Sequence, residues 1–369
     1  MSTTTVDLRA LASTRESIIY QDGGLFPVAA QAADGSLLAV LRGGAGHLGL
    51  AGRIDLVRSR DNGLTWAPPV TIADSAVDDR NPAFGLTPKG TLVLAYYHQA
   101  SYDETGKYTP EMGNFSVRVT RSVDNGLTWS EPYKITDFHG FRGSPYGRII
   151  QLGDNAIGMS VYSTVDQPGY PGGSYLLRSY DDGLTWEAPA LIGKGRDETS
   201  ILSLPNGDLL AAMRKTKRDE QSLAISRSND LGRSWSGAVE ITGSMQHPAD
   251  LVMLDDHRVL LTYGNRQPPF RIEGRISEDL GATWRPELLT FSGHLYGYDI
   301  DPTRRTDLGY PTNIITSSGE AVTIYYYNPF HQTIHREWTG PSTTHYYLAT
   351  NYRGICVRWS VAELLEALG

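Results

Sequence analysis

Two groups of residues recur at a constant spacing from six turn positions and include side chains that can move protons or bind anions. One group precedes the turns and the other follows them. Carboxyl, imidazole and phenol groups can transfer protons, and guanidinium groups can hold a carboxylate through paired hydrogen bonds. The first group is Phe26, Asn81, Ser144, Glu198, His247 and Tyr310, and the second is Arg42, Tyr97, Ser160, Arg214, Tyr263 and Tyr326.

The elements that must position these residues are β-hairpins. Each residue of the first group opens a stretch that ends at a turn glycine or aspartate, and an apolar run such as SLLAVL or AVTIYYY follows the turn. Six such hairpins predict six blades of a β-propeller whose first strands start at a central funnel. Glu198 and Arg214 belong to the same hairpin, so we expect them to lie side by side.

A second repeat predicts the outer half of each blade. The octet S-x-D-x-G-x-[TS]-W occurs at residues 59–66, 122–129, 179–186, 228–235 and 277–284, and it uses five of the seven tryptophans. Its serine and aspartate can satisfy turn amides, its glycine permits positive φ, and its tryptophan packs against the next strand. Because a β-rich run precedes each octet, the octets are expected at outer turns, with an architectural role.

The remaining segments complete the predicted ring. The sixth unit has no octet, but THYYLAT and GICVRWSV read as its later strands, and ESIIYQD near the start is expected to close the ring against them. No linker or composition shift divides the chain. The sequence therefore predicts an all-β, six-bladed propeller with four-stranded antiparallel blades, as one domain over residues 1–369.

Composition excludes several classes of function. The net charge is −8 and no block of Lys or Arg is long enough to follow a phosphate backbone, which argues against nucleic acid as a partner. No apolar stretch is long enough for a membrane span, and the single cysteine, Cys356, excludes an intramolecular disulfide. The opening MSTTTVDLRALAS does not read as a secretory signal, so a cytoplasmic location is expected. No HExxH, CxxC, P-loop or GxSxG motif occurs, so neither metal nor cofactor is expected.

The octets are similar to the Asp-boxes, or BNR repeats, of sialidases, and the chain resembles the sialidase (neuraminidase) superfamily over nearly its full length. The resemblance implies glycoside hydrolysis by a tyrosine nucleophile that a glutamate activates, with a loop aspartate as acid/base and three arginines on the substrate carboxylate. A neutral phenol suits attack beside a carboxylate because it carries no charge before the reaction, and sialidases depart in this way from the usual pair of carboxylates.

The resemblance assigns roles to individual residues. The segment DLGYPTNII resembles that of the nucleophile and implies Tyr310, and DETSILSLPNGDLLAAMR resembles that of the base and one arginine, which implies Glu198 and Arg214. Counting back from the first octet places His47 at the acid/base position. The further candidate substrate contacts are Arg271, Arg42, Asp79, Asn81 and His247.

Two departures from the family pattern affect the substrate. Leu25-Phe26-Pro27 stands where the family has Arg-Ile-Pro, so one arginine of the triad is absent, and His47 replaces the loop aspartate. Histidine transfers protons near neutral pH, and the two remaining arginines can still bind a carboxylate. The site chemistry therefore persists with sialic acid or a uronic acid as the expected terminal sugar.

Three functions follow from this pattern. The first is an exo-acting glycoside hydrolase with Tyr310, Glu198 and His47 as catalytic residues. The second is a polysaccharide lyase that acts beside a uronic acid, where the arginines would acidify the neighbouring C–H and His47 or Tyr310 would be base and acid. The third is a non-catalytic carbohydrate-binding propeller. The sequence leaves the sugar, the linkage and the oligomeric state open.

Overall fold

The computed structural model describes residues 4–217, 220–295, 307–328 and 352–369. These residues form twenty-five strands, two short 3-10 helices at Leu8–Ala10 and Pro110–Met112, and a C-terminal helix, α1 (Val361–Leu368). The strands are β1 Thr5–Asp7, β2 Arg15–Gln21, β3 Leu25–Gln31, β4 Leu37–Gly43, β5 Arg53–Ser59, β6 Val70–Ala73, β7 Asp78–Leu86, β8 Leu92–Gln99, β9 Phe115–Ser122, β10 Tyr133–Ile135, β11 Ser144–Gln151, β12 Ile157–Ser163, β13 Gly173–Ser179, β14 Ala190–Lys194, β15 Arg196–Ser203, β16 Leu209–Lys215, β17 Leu223–Ser228, β18 Val239–Glu240, β19 Gln246–Met253, β20 Val259–Asn265, β21 Arg271–Ser277, β22 Leu288–Thr290, β23 Gly309–Ile315, β24 Glu320–Tyr327 and β25 Arg353–Ser360.

The described strands form five sheets. Three of them contain four strands each, in the orders β3-β4-β5-β6, β15-β16-β17-β18 and β2-β25-β24-β23. The sheet β1-β22-β21-β20-β19 contains five strands because β1 pairs in parallel with β22. In the eight-stranded sheet β10-β9-β8-β7-β11-β12-β13-β14, two antiparallel runs are joined by a short parallel pairing of β7 with β11.

The structure confirms the all-β fold and a propeller-like ring, but it does not confirm six separate blades. The reason is local: Ala83 and Phe84 of β7 pair with Gly147 and Arg148 of β11, and this pairing fuses two consecutive runs into one sheet. The predicted closure of the ring is present, because β2 pairs antiparallel with β25. THYYLAT lies outside the described residues, and the assignment of residues 1–369 to one domain stays a prediction.

Apolar clusters between neighbouring sheets hold the ring together. Strands such as β4 (LLAVLRG) are buried along their whole length because both of their faces meet another sheet. One cluster contains residues from β2, β3, β4, β24 and β25 and joins the last sheet to the first, including the buried Cys356. Another cluster packs α1 through Leu364 against the final sheets. Among the described residues, no helix is long and apolar enough to span a membrane.

The octets lie at outer turns, as predicted. Each one follows the third strand of a run, for example β5 before residues 59–66 and β9 before residues 122–129. In every copy the serine Oγ accepts a hydrogen bond from the glycine N–H at 2.7–2.8 Å and donates one to the aspartate at 2.7–2.8 Å. The five turns are therefore repeated copies of one local hydrogen-bond network.

Candidate active site

The inner strands have irregular pairing near their first residues, at the end of each strand that faces the funnel. The pairing register shifts near the start of each inner strand, as a β-bulge does, at Leu25/Val28, Arg80/Ala83, Tyr146/Ile150, Arg196/Thr199, Gln246/Ala249 and Gly309/Thr312. Phe26, Asn81 and Tyr310 each precede a proline and have φ of 53°, 46° and 49°. Bulky residues rarely adopt positive φ, and bulges redirect side chains. These bulges therefore turn the predicted funnel residues away from the regular alternation of the strand.

Tyr310, Glu198 and Arg214 form one hydrogen-bonded chain. The Tyr310 hydroxyl donates to Oε1 of Glu198, and Nη1 of Arg214 donates to Oε2 of the same carboxylate. Glu198 opens an inner hairpin and Arg214 ends it, which confirms that they lie side by side, and Tyr310 arrives from a strand 112 residues away. Tyr310 is 8% exposed and Glu198 is 5% exposed. The tyrosine therefore has a carboxylate in place to accept its proton.

Electrostatics keep the Tyr310 phenol protonated at rest. Burial, followed by the charge of Glu198, raises the pKa of Tyr310 well above its usual value, although Arg214 and Arg266 oppose the shift. Burial also raises the pKa of Asp197, beside Glu198, to about 6, against the effect of Arg214. A phenol with a raised pKa is a poor nucleophile unless a base takes its proton during attack. The Glu198 contact supplies such a base.

Arg266 is a funnel residue that the sequence did not reveal. Its Cζ lies 5.6 Å from the centroid of the Tyr310 ring. Its Nε and Nη2 atoms are buried and have no hydrogen-bond partner in the described part of the chain. Buried donors without partners are costly, and native proteins rarely keep them unless a ligand or water completes them. Arg266 therefore offers two donors for an anionic group close to Tyr310.

Arg271, the arginine that the resemblance implied, is engaged elsewhere. Its Nε donates to Oε1 of Glu273 at 2.7 Å, and Glu273 also accepts from Asn265 and Gln246 at 3.0 and 3.2 Å. The described contacts of Arg271 do not include Tyr310, Glu198 or Arg214. The structure therefore brings Arg266, five positions earlier, to the tyrosine in place of Arg271.

His47 lies within the same funnel. Its ring meets the Phe26 ring edge-on at a centroid distance of 5.1 Å, and Phe26 in turn lies 4.9 Å from Tyr310. Its Nδ1 is 3.3 Å from Oδ2 of Asp307, a residue that the sequence did not single out. Burial, which outweighs the attraction of Asp307, lowers the pKa of His47. A neutral imidazole is therefore favoured near neutral pH.

Arg42 and Asp79 are fully buried, so they do not belong to the open part of the funnel. Arg42 binds Asp78 and donates to the Gly46 carbonyl at 2.7 Å and to the Asp79 carbonyl at 2.8 Å. The Asp79 carboxylate bonds the His98 ring at 2.9 Å and the Ser75 amide at 2.8 Å. Because Gly46 precedes His47, Arg42 fixes the loop that carries the histidine. The structure thus places these two residues beneath the His47 loop, and their predicted contact with substrate stays a prediction.

Asn81 and His247 differ in their exposure. Asn81 is half-buried, and its Nδ2 donates to Ser144 Oγ at 3.1 Å and to Tyr162 at 3.4 Å across the funnel wall. His247 is fully buried in β19. The structure thus places Asn81 within reach of the funnel and His247 behind it.

Each functional candidate that the sequence missed is near a predicted funnel position. Arg80 precedes Asn81, Asp307 is three residues before Tyr310, and Arg266 is three residues after Tyr263. Arg80 is 9% exposed, and its Cζ lies 5.9 Å from the centroid of the Phe26 ring. A count from turn positions selects a single residue per strand, whereas residues next to it at the strand end also reach the same opening. A charged residue within three positions of a predicted funnel residue was the available signal.

Next to the site, a polar network joins inner strands of three sheets. Arg148 pairs with Asp250, and the same carboxylate accepts from the backbone and side chain of Asn313 at 2.8 and 2.9 Å. These strands come from different sheets, so the network fixes them relative to one another. Among the described residues, no cluster of His, Cys, Asp or Glu could hold a metal ion.

Comparison with known families assigns the chain to a class of repeat proteins. Residues 35–324, more than half of the chain, match the model of the BNR repeat-like domain family. The chain belongs to this family.

Two related sequences are sialidases. The chain is 26% identical over 285 residues to a sialidase of Bacteroides fragilis (strain YCH46), which covers 66% of the chain and 51% of that protein. It is also 26% identical over 285 residues to a sialidase of Micromonospora viridifaciens, which covers 68% of the chain and 43% of that protein. The chain thus spans about half the length of these relatives.

Solved structures show the same fold at low identity. A Dyadobacter fermentans protein of unknown function has a TM-score of 0.72 at 23% identity and covers 95% of this chain and 100% of its own. A Hadza microbial sialidase has a TM-score of 0.66 at 18% identity, with coverage of 93% and 66%. Trypanosoma rangeli sialidase in complex with sialic acid has a TM-score of 0.64 at 13% identity, with coverage of 100% and 61%. These similarities show a sialidase-like fold.

Proposed function

We propose that the chain is an exo-acting glycoside hydrolase of the sialidase type that removes a terminal anionic sugar. The observation that carries the proposal is the hydrogen-bonded chain Tyr310–Glu198–Arg214 beside the unpartnered donors of Arg266. We count the eight-stranded sheet as two blades, which gives the six-bladed form. This count explains why residues from remote stretches of sequence meet at one axis.

The proposed reaction has two displacements. Tyr310 Oη attacks the anomeric carbon and its proton passes to Glu198, while the electron pair of the breaking glycosidic bond goes to the leaving oxygen, which takes a proton from His47. Water then attacks the same carbon and gives a proton to His47, and the Tyr310 oxygen leaves and recovers its proton from Glu198. Two inversions at one carbon leave its configuration retained.

The arginines define the substrate class. Arg266 has free donors near Tyr310, and Arg80 lies on the Phe26 side of the funnel. Arg214 is shared with Glu198, so it can both hold a substrate carboxylate and stabilise the base. Guanidinium groups bind carboxylates in a bidentate manner. Phe26 stands where the family has an arginine, and Arg214 and Arg266 are the two guanidinium groups next to Tyr310. This arrangement favours a sialic or uronic acid whose carboxylate these two arginines hold.

The test is Tyr310→Phe assayed on 4-methylumbelliferyl glycosides of N-acetylneuraminic, glucuronic and galacturonic acid, with neutral galactosides as comparison. We expect the wild type to release the fluorophore from an anionic glycoside only, and Tyr310→Phe to lose turnover while it still binds the free sugar in calorimetry. Tyr175→Phe is the matched control, because the Tyr175 hydroxyl binds the Pro171 carbonyl away from the funnel. Full turnover by Tyr310→Phe would refute the nucleophile, and binding without any product would support a carbohydrate-binding propeller.

A second candidate, a lyase beside a uronic acid, is favoured by one observation. Because burial lowers the pKa of His47, the imidazole is neutral and therefore suited to remove a proton. In that reaction His47 would take the C5 proton and a double bond would form between C4 and C5 as the C4–O bond breaks. The electron pair of the C4–O bond would go to the leaving oxygen, which would take a proton from Tyr310. Ultraviolet absorbance of an unsaturated uronate during digestion of a polyuronate would decide for the lyase, and released saturated sugar would decide for the hydrolase.

A further inference from the structure

The funnel contains a second buried carboxylate whose role the proposed reaction leaves open. Asp307 accepts hydrogen bonds from the hydroxyls of Tyr326 and Tyr352 at 2.5 and 2.8 Å, and its Oδ2 lies 3.3 Å from Nδ1 of His47. Burial opposes ionisation, but His47 and Arg266 outweigh it and hold the pKa of Asp307 below its usual value. Asp307 is therefore a fixed negative charge beside the histidine.

Two contacts restrict the orientation of the His47 ring. Phe26 meets it edge-on, with 89° between the ring planes, and Asp307 lies next to Nδ1. A neutral imidazole carries its proton on one nitrogen, and a carboxylate beside Nδ1 selects the Nδ1–H form. Nε2 is then the nitrogen that exchanges a proton with a substrate.

We propose that Asp307 is the positioning residue of His47, and that the two form a histidine–aspartate pair in which Nδ1 keeps its proton and Nε2 performs the acid/base step. The acid/base role of the pair rests on the proposed function. The contact between His47 and Asp307 does not, because it is present without substrate. The pair takes the place at which the resemblance implies a single aspartate. No local sequence motif could predict this pair, because His47 and Asp307 are 260 residues apart.

The surrounding charges explain why the histidine requires this carboxylate. Burial and the positive charges of Arg80 and Arg42 lower the pKa of His47, and Asp307 raises it through charge and hydrogen bonding. Arg266 also faces Asp307; the Tyr326 hydroxyl donates to Oδ1 of this carboxylate, and the Tyr352 hydroxyl donates to Oδ2, the oxygen beside His47. Of the charges that act most strongly on His47, Asp307 is the one that favours the imidazolium, so its removal makes that form harder to reach.

In the proposed reaction only Nε2 of the pair loses and regains a proton. In the first displacement the Nε2 proton moves to the leaving oxygen, and His47 becomes neutral with Nδ1–H still directed at Asp307. In the second displacement Nε2 takes a proton from the attacking water, and the imidazolium returns. Asp307 remains ionised throughout and stabilises that imidazolium, as a carboxylate behind a catalytic histidine does in other hydrolases.

The test uses ring-¹⁵N-histidine NMR of the full chain, with the His47 signal assigned by its absence in His47→Gln. We expect the neutral wild-type ring to show Nδ1–H and unprotonated Nε2. Asp307→Asn should lose the preference for the Nδ1–H form and lower the pKa of His47. On a glycoside that the wild type cleaves, kcat of this variant should fall by about 10- to 100-fold, similar to the loss when a partner that orients a metal-bound histidine is removed. Asp307→Glu should recover part of both signals.

The chain offers a matched control. His257 and Asp255 form a similar pair on the surface, with Nδ1 3.2 Å from Oδ1 and the His257 side chain 56% exposed. Asp255→Asn should change the His257 signals and leave kcat and the His47 signals as they are. An unchanged His47 tautomer and pKa in Asp307→Asn, or an Nε2–H wild-type ring, overturns the pair even if the enzyme is active. A paired His47 in a protein that cleaves no glycoside overturns the proposed function and leaves the pair intact.

Discussion

The outer turns and the funnel both arise from repeated sequence patterns, but different kinds of contact hold them. In the octet turns the partners are two to four residues apart, and the same serine, aspartate and glycine contacts recur in all five copies. In the funnel the contacts join Tyr310 to Glu198 over 112 residues and His47 to Asp307 over 260. Repeated local contacts thus hold the outer turns, and contacts between remote stretches of the chain assemble the candidate site.

Because the candidate catalytic groups lie in the funnel, we expect the pH dependence of kcat/KM to follow the titration of His47. If His47 is the acid of a hydrolase, kcat/KM should fall about tenfold per pH unit above the pKa of His47, which burial places below its usual value. If His47 is the base of a lyase, the same limb should rise with pH. The pH–rate profile distinguishes the two, because kcat/KM reports the first chemical step.

The control for the pH profile is His47→Gln. This variant should lack the limb and retain its fold by circular dichroism. A limb that persists in His47→Gln would show that another group titrates and would remove His47 from the acid/base role.

Arg266 and Arg271, at the two ends of the connection between β20 and β21, allow the comparison to be tested inside the funnel. Arg266→Met removes two buried donors and should lower kcat/KM on an anionic glycoside by about 10- to 100-fold, because a hydrogen bond to a charged group contributes roughly 1.5–3 kcal/mol. Arg271→Met should change it by about twofold, because Arg271 is bound to Glu273. Steady-state kinetics on the same substrate measure both, and the reverse order of losses would restore Arg271 as the substrate arginine.

The outer turns should affect stability and leave turnover unchanged. Ser122→Ala leaves the buried Gly126 N–H without its acceptor and should lower the free energy of unfolding by about 1–3 kcal/mol. Val123→Ala, at a side chain that is 82% exposed, should change it by less than about 0.5 kcal/mol. Urea denaturation measures the first effect, and an altered KM in Ser122→Ala would show that the turns and the funnel are coupled.

The sequence by itself determined the octet turns, the inner hairpins and the contact between Glu198 and Arg214. Each of these features depends on residues that are close along the chain. The turn chemistry of the octets and the alternation of apolar strands are local physical preferences. The chain closure of β2 on β25 was also predictable, since an edge strand requires a partner.

Only the tertiary structure decided which charged side chains meet at the axis. Arg266, Arg80 and Asp307, at or next to the ends of the inner strands, reach the funnel, whereas Arg271 is bound to Glu273. The same packing buried Arg42 and Asp79 beneath the His47 loop. The count of turns fixes the strand on which a residue lies. The direction of its side chain depends on local backbone conformation and on neighbours hundreds of residues away, which spacing along the chain does not encode.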